Sequence, residues 1–202
     1  MLRECYAWPR VSSSSSIDSD SELSDLASAL ANGDAEALRC LYRRHHREVR
    51  AFACRLLGGD RSAAEDLVQD TFIQLVRSVR SYRGEAPLRG FILGVAANLA
   101  RHRLRARARR HALFSRLALL TASEARGPEE LVASEQLATR LSKAMERLPV
   151  DQRLAFVLCE LEERSSREAA EILGTNDSTV RARVRAARSR LQRMLDGEHA
   201  RG

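Results

Sequence analysis

Apolar residues recur at steps of three and four along two long blocks of this chain, and nowhere do they alternate as a half-buried strand requires. That pattern restricts the fold to helices packed on helices. In the first block a short helix over Ser24–Ala31 is expected to end at Asn32-Gly33, with Asp34 capping a second one. Ala37, Leu38, Leu41, Val49, Phe52, Ala53, Leu56 and Leu57 supply its buried stripe up to the Gly58-Gly59 stop. Ser62-Ala63-Ala64-Glu65 fits a capping box for a third helix, whose apolar positions are Ala64, Leu67, Val68, Phe72, Leu75, Val76 and Val79. Gly84 and Pro87 break the pattern, and a fourth helix is expected from Leu88 to Arg110.

The second block starts a new periodicity. Leu137, Leu141, Ala144, Met145 and Leu148 mark one helix, stopped by Pro149, and Leu154, Val157, Leu158 and Leu161 mark the next. Ser165-Ser166-Arg167-Glu168 is a second capping-box pattern, opening a helix that ends at Leu173-Gly174. A long helix capped by Asp177 or Ser178 then buries Val180, Val184, Ala187, Leu191 and Leu195. A short helix, a glycine turn and an arginine-faced helix make a helix-turn-helix. The expected fold is therefore all-α, two small helical domains joined by a flexible linker, the second containing the helix-turn-helix. The boundaries are a Ser-rich leader over 1–21, a domain over 22–111, a linker over 112–133 containing Gly127-Pro128, a domain over 134–196 and a tail over 197–202.

Composition removes whole classes of function. No apolar run approaches the roughly 20 residues that span a bilayer, and the N-terminal stretch lacks the apolar core of a signal peptide. Cys5, Cys40, Cys54 and Cys159 are scattered without a CxxC, which favours reduced thiols in a cytoplasm over a disulfide framework. Net charge is +7, unevenly spread: residues 1–36 hold two arginines against seven acids, a net of −5, so the remainder carries +12. Of the 34 basic residues 33 are arginine, the side chain whose planar fork suits phosphate and guanine.

Two helices concentrate that charge. Arg101, Arg103, Arg105, Arg107, Arg109 and Arg110 follow one another in the fourth helix without an acid, and Arg181, Arg183, Arg185, Arg188, Arg190 and Arg193 do so in the last one. Such rows are the electrostatic footprint of a nucleic-acid binder. The third helix runs against the trend, presenting Glu65, Asp66, Gln69 and Asp70 as an acidic-polar edge. No P-loop, GxSxG or HExxH pattern occurs, so no enzymatic activity is expected. His45 and His46 lie between Cys40 and Cys54 at offsets that do not converge on a zinc ion, and read as a surface pair beside packed thiols. No metal and no cofactor are expected.

The run Ala64-Glu65-Asp66-Leu67-Val68-Gln69-Asp70-Thr71-Phe72 resembles the core-binding segment of sigma-70 family RNA polymerase sigma factors, specifically the small extracytoplasmic-function (ECF) group. Gly33-Asp34-Ala35-Glu36-Ala37-Leu38 looks like the start of that family's second region. Tyr82-Arg83-Gly84-Glu85, Phe91 and Val95-Ala96-Ala97-Asn98 look like its promoter-melting segment. Leu148-Pro149-Val150-Asp151-Gln152-Arg153, Glu168-Ala169-Ala170-Glu171 and Ser178-Thr179-Val180-Arg181 look like its fourth region. The match departs at Phe91, where the family has Trp, and at Asn176 and Ser178, where it has Pro and Gly.

The resemblance implies a transcription initiation factor that binds core RNA polymerase, directs it to promoters and helps melt the −10 element. Asp66, Gln69 and Asp70 would dock on the β′ coiled coil, and the second domain would meet the β flap. Tyr82, Asn98 and His102 would capture a flipped −10 base, with Arg101, Arg103 and Arg105 on the phosphates. Thr179, Arg181, Arg185 and Arg188 would face the −35 major groove. An anti-sigma factor is an implied partner, and membrane insertion is not. The alternative is a polymerase-independent helix-turn-helix DNA-binding transcription regulator, which would leave the acidic third helix and the first basic domain unexplained.

Overall fold

The computed structural model describes residues 20–82, 87–118 and 133–199, and within them every regular element is helical. Helix α1 spans Asp20–Ala31, α2 Ala35–Leu56, α3 Arg61–Ser78, α4 Leu88–Ala118, α5 Ala133–Glu146, α6 Val150–Phe156, α7 Ser166–Leu173 and α8 Asp177–His199. A 3₁₀ turn, Val79–Ser81, follows α3, and a π-helical turn, Val157–Leu161, ends α6. The sequence reading holds for the number and order of helices, but several boundaries move. Helix α1 starts at Asp20, inside the stretch read as leader. Helix α4 runs to Ala118 and α5 begins at Ala133, so helix takes up both ends of the expected linker. Helix α8 likewise continues to His199, into the expected tail. Most of the leader (1–19), the loop 83–86 with its Gly84-Glu85, and the linker's centre (119–132) lie outside the described residues.

Caps explain several of these ends. Asp34 caps α2 by accepting from the Glu36 amide at 2.8 Å, as expected. The capping box read at Ser62 does not form: Asp60 caps α3, accepting from Ala63 N at 3.0 Å, and Glu65 reaches across to Arg50 at 3.2 Å instead. Either residue type caps well, and the chain's exit from the Gly58-Gly59 turn presents Asp60 first. The second capping box is real. Ser165 accepts from Glu168 N at 3.2 Å while Glu168 accepts from Ser165 N at 2.8 Å, and Gly174 ends α7 with φ +61°. Neither Asp177 nor Ser178 caps α8. Asn176 does, its Oδ1 accepting from Thr179 N at 2.8 Å.

Packing joins the two helical groups. Helices α1–α4 pack around Leu41, Phe52, Leu67, Leu75 and Ile92, and α5–α8 around Leu154, Leu158, Val180 and Leu191. These residues belong to one continuous apolar cluster, because α4 also packs against α6 and α7, and α2 against the π turn. The glycine turn after α2 makes the approach close. A Cβ on Gly58 would stand 2.8 Å from Glu146 Oε1, and Ser142 Oγ donates to the Gly58 carbonyl at 3.0 Å. The π turn, closed by Glu162 N donating to Val157 O at 2.9 Å, swings Glu162 back onto Arg55, and the two form an ion pair only about a tenth exposed. Burial pushes the Glu162 carboxyl above its ordinary pKa, more than Arg55 pulls it down. His45 proves buried rather than superficial, while His46 stacks on Tyr42 with ring centroids 5.0 Å apart.

Candidate nucleic-acid interface

Helix α3 carries the acidic-polar edge on its outer face. Asp66 and Gln69 are exposed and Asp70 is half-buried, beneath a core face of Leu67, Val68, Thr71 and Phe72. Steps of three and four continue this outer face to Ile73 and Val76, which are 55% and 39% exposed. Val76 therefore does not belong to the core stripe where periodicity had put it. With Leu38, Tyr42 and Phe72 the two residues line an apolar groove between α2 and α3, flanked by Arg39, Arg43 and Arg77. The acidic edge thus passes directly into an apolar patch, the pairing of contacts that a protein partner needs.

The promoter-reading residues expected of the first helical group converge. Tyr82, beyond the 3₁₀ turn, and Asn98 and His102, one turn apart on α4, line a single cavity of about 770 Å³. Tyr82 leans on Phe91 with centroids 5.2 Å apart, which holds the ring in place without an indole at that position. The cavity offers an aromatic face, an amide with donor and acceptor, and an imidazole. Its far wall comes from α7 and the turn before it, through Arg164, Glu168, Glu171 and Ile172, residues no local pattern in the sequence linked to Asn98.

The arginine row beyond the cavity lacks acids in sequence but not in space. Arg101 Nε donates to Asp151 Oδ1 at 3.0 Å and Arg105 Nη2 to Asp151 Oδ2 at 2.8 Å. Arg101 also donates to Asn98 Oδ1 at 2.5 Å. Arg103 pairs with Asp70, bringing an expected phosphate contact and an expected polymerase contact together. Burial alone would raise the Asp151 pKa, but the hydrogen bond and charge of Arg105, with the fields of Arg183 and Arg101, outweigh it and hold the carboxyl below its usual range.

Helix α8 presents its row more openly. Arg181, Arg185 and Arg188 are exposed and line a groove with Ser178, Val184 and Cys159. Asp177 pairs with Arg181 at 2.6 Å and Glu160 with Arg188 at 2.6 Å. Thr179 is half-buried and lies outside the residues lining that groove. Cys159, which also lines the groove, is a free thiol whose pKa burial pushes up to about 11, so little thiolate is present near neutral pH. Among the described residues no His, Cys, Asp and Glu cluster suits a metal ion, and no helix is long and apolar enough to cross a membrane.

Comparison with known proteins agrees with this geometry. Sigma-70 region 2 matches residues 41–110, which hold the acidic edge, Tyr82, Asn98 and the arginine row, and Sigma-70 region 4 matches residues 138–191. The ECF RNA polymerase sigma factor SigM of Mycobacterium tuberculosis strain H37Rv is 33% identical over 177 residues, which cover 88% of this chain and 85% of SigM. The chain belongs to the ECF group of the sigma-70 family. SigE of Mycolicibacterium smegmatis is 34% identical over 170 residues, 82% of this sigma factor and 65% of SigE. Among solved structures, RpoE in complex with the anti-sigma factor NepR from Bartonella quintana superposes with a TM-score of 0.57 at 28% identity, covering 78% of this chain and 96% of that one. CnrH in complex with the cytosolic domain of CnrY gives a TM-score of 0.58 at 24% identity over 86% and 96% of the two chains, a likeness of fold. This sigma factor is a transcription initiation factor acting with RNA polymerase and promoter DNA.

Proposed function

We propose that residues 22–111 dock on core polymerase and read the −10 element, and that residues 134–196 meet the β flap and read the −35 element. Asp66, Gln69 and Asp70 contact the β′ coiled coil, with Ile73 and Val76 as the apolar continuation of that contact. A flipped non-template base enters the cavity of Tyr82, Asn98 and His102, stacking on the ring and bonding to the amide. Arg101, Arg103 and Arg105 take the phosphates that follow. Thr179, Arg181, Arg185 and Arg188 face the −35 major groove, where guanidinium forks read guanine. The protein works in the cytoplasm, nucleoid-associated when bound to polymerase, and an anti-sigma factor, as NepR is for RpoE, restrains it.

One observation carries this reading. Tyr82, Asn98 and His102, up to 20 positions apart in sequence, line one cavity at the head of an arginine row. Asn98→Ala in the polymerase-bound protein should impair promoter opening and relax preference at one −10 position, since a bidentate base contact is worth about 1–3 kcal/mol. Permanganate footprinting on promoters varied at each −10 position measures this. Opening by Asn98→Ala at the wild-type rate, with unchanged preference, would refute the base assignment.

A further inference from the structure

Asn98 is exposed at the edge of the cavity, and its amide has two ends of nearly the same shape and opposite hydrogen-bonding sense. Turned one way it leads into the cavity with an acceptor, turned the other way with donors. The terminal amide torsion is soft and roughly two-fold, so an exposed asparagine with no neighbour to orient it samples both. Here a neighbour orients it. Arg101 Nη1 donates to Asn98 Oδ1 at 2.5 Å. A guanidinium carries donors and no acceptor, so only the oxygen of an amide can face it. Arg101 is not among the residues lining the cavity, so the contact draws the oxygen away from the cavity and leaves Nδ2 toward it. The guanidinium is itself held. Its Nε donates to Asp151 Oδ1 at 3.0 Å and its Nη2 to the Leu173 carbonyl at 3.4 Å, and the side chain is only 16% exposed. The contact with Asn98 needs neither partner, since residues three apart on one helix are neighbours.

We infer that Arg101 is a positioning residue for base recognition: it fixes the Asn98 amide with its donors toward the cavity, and so selects a flipped base that presents a carbonyl oxygen. The inference rests on the −10 reading above. Other guanidinium donors remain for a phosphate, so the backbone role of Arg101 stands beside this one. Base chemistry makes the consequence specific. Among the four bases adenine alone has no carbonyl oxygen, and thymine alone has no exocyclic amino group. Thymine should therefore be preferred over adenine at the position that Asn98 reads.

The test uses polymerase holoenzyme and promoters carrying thymine or adenine at the −10 position where Asn98→Ala relaxes preference. Opening rates are read from the permanganate reactivity of a thymine elsewhere in the bubble. The wild type should open the thymine promoter about fivefold faster, the usual net contribution of one hydrogen bond. Arg101→Ala frees the amide to turn, and the preference should be lost. In an Asn98→Ala background the same substitution should not change the ratio of rates further, because no amide is left to position. Asn98→Asp keeps an oxygen for Arg101 but offers the base a second oxygen in place of Nδ2, so preference should reverse to adenine and its amino group. Thymine's N–H lies between two carbonyl oxygens that repel a carboxylate. Arg103→Ala, whose side chain pairs with Asp70 on α3 instead, should slow both promoters alike. A loss of folding or of docking would also slow both alike, so the ratio reports positioning alone. The proposal fails if the wild type does not prefer thymine, if Arg101→Ala keeps that preference, or if Asn98→Asp retains it. Opening by Asn98→Ala at the wild-type rate, with no −10 position relaxed, overturns the −10 reading itself, so the two failures are told apart.

Discussion

Arg101, Arg103 and Arg105 stand in a stretch of α4 with no acid nearby in sequence, yet each meets a carboxylate in space, from Asp151 or Asp70. Their availability to DNA is therefore set by partners that charge counting along the chain does not find. Arg103 is partly exposed and its partner belongs to α3, so polymerase docking at Asp70 would release it for a phosphate. Arg103→Ala should then weaken all promoters alike and lower the log–log salt slope of holoenzyme binding by about one, measured by salt titration. On the same edge of α3, Asp66→Arg combined with Gln69→Ala should abolish co-purification with core polymerase while circular dichroism stays unchanged. Both side chains point to solvent, so the core beneath them is untouched, and a reversed charge meets the wrong field on the partner.

At the scale of elements, α7 is eight residues long and depends on its ends. Ser165 and Glu168 satisfy two otherwise orphaned amides, and Gly174 adopts the left-handed conformation that finishes the helix. Ser165→Ala should cost about 1 kcal/mol in urea unfolding. Hydrogen bonds from the Ser165 hydroxyl and amide hold the Glu168 pKa below its ordinary value. A carboxyl depressed in the folded state stabilises fully above its unfolded pKa and loses that stabilisation as pH falls through the folded one. Acid unfolding of wild type should accordingly steepen below the usual glutamate range, and in Ser165→Ala that part of the pH dependence should shrink. The π turn matters for a different reason: it aims Glu162 at Arg55, 107 residues away in sequence. Glu162→Ala leaves a buried guanidinium without its carboxylate and should cost about 3 kcal/mol by chemical denaturation.

Across the whole molecule the two arginine faces lie on different helical groups, and their roles should separate experimentally. Arg181→Ala or Arg185→Ala should change −35 preference on duplex promoters while leaving transcription from a pre-opened bubble template near wild type. Both side chains are exposed on α8, away from the cavity of Tyr82 and Asn98. Run-off transcription on the two templates measures the difference.

Helix number and order, the caps at Asp34 and Ser165 and the glycine stops were legible in the sequence. Those features depend on periodicity and on hydrogen bonds between residues a few positions apart, which a linear reading contains. The family resemblance added roles to Asp66, Asn98 and Arg181 because their order along the chain is itself a signal. Ser62 misled because two good capping residues stood side by side and the approach of the chain chose between them. Val76 misled because a helical period marks a face without saying whether anything covers it. Tertiary structure alone decided that Asp151 sits across Arg101 and Arg105, that Glu48 ties Arg89 to Arg164, and that α7 walls the cavity of Tyr82, Asn98 and His102. Each of these joins residues some 40 or more positions apart, and Coulomb attraction depends on distance in space, which the order of residues does not record.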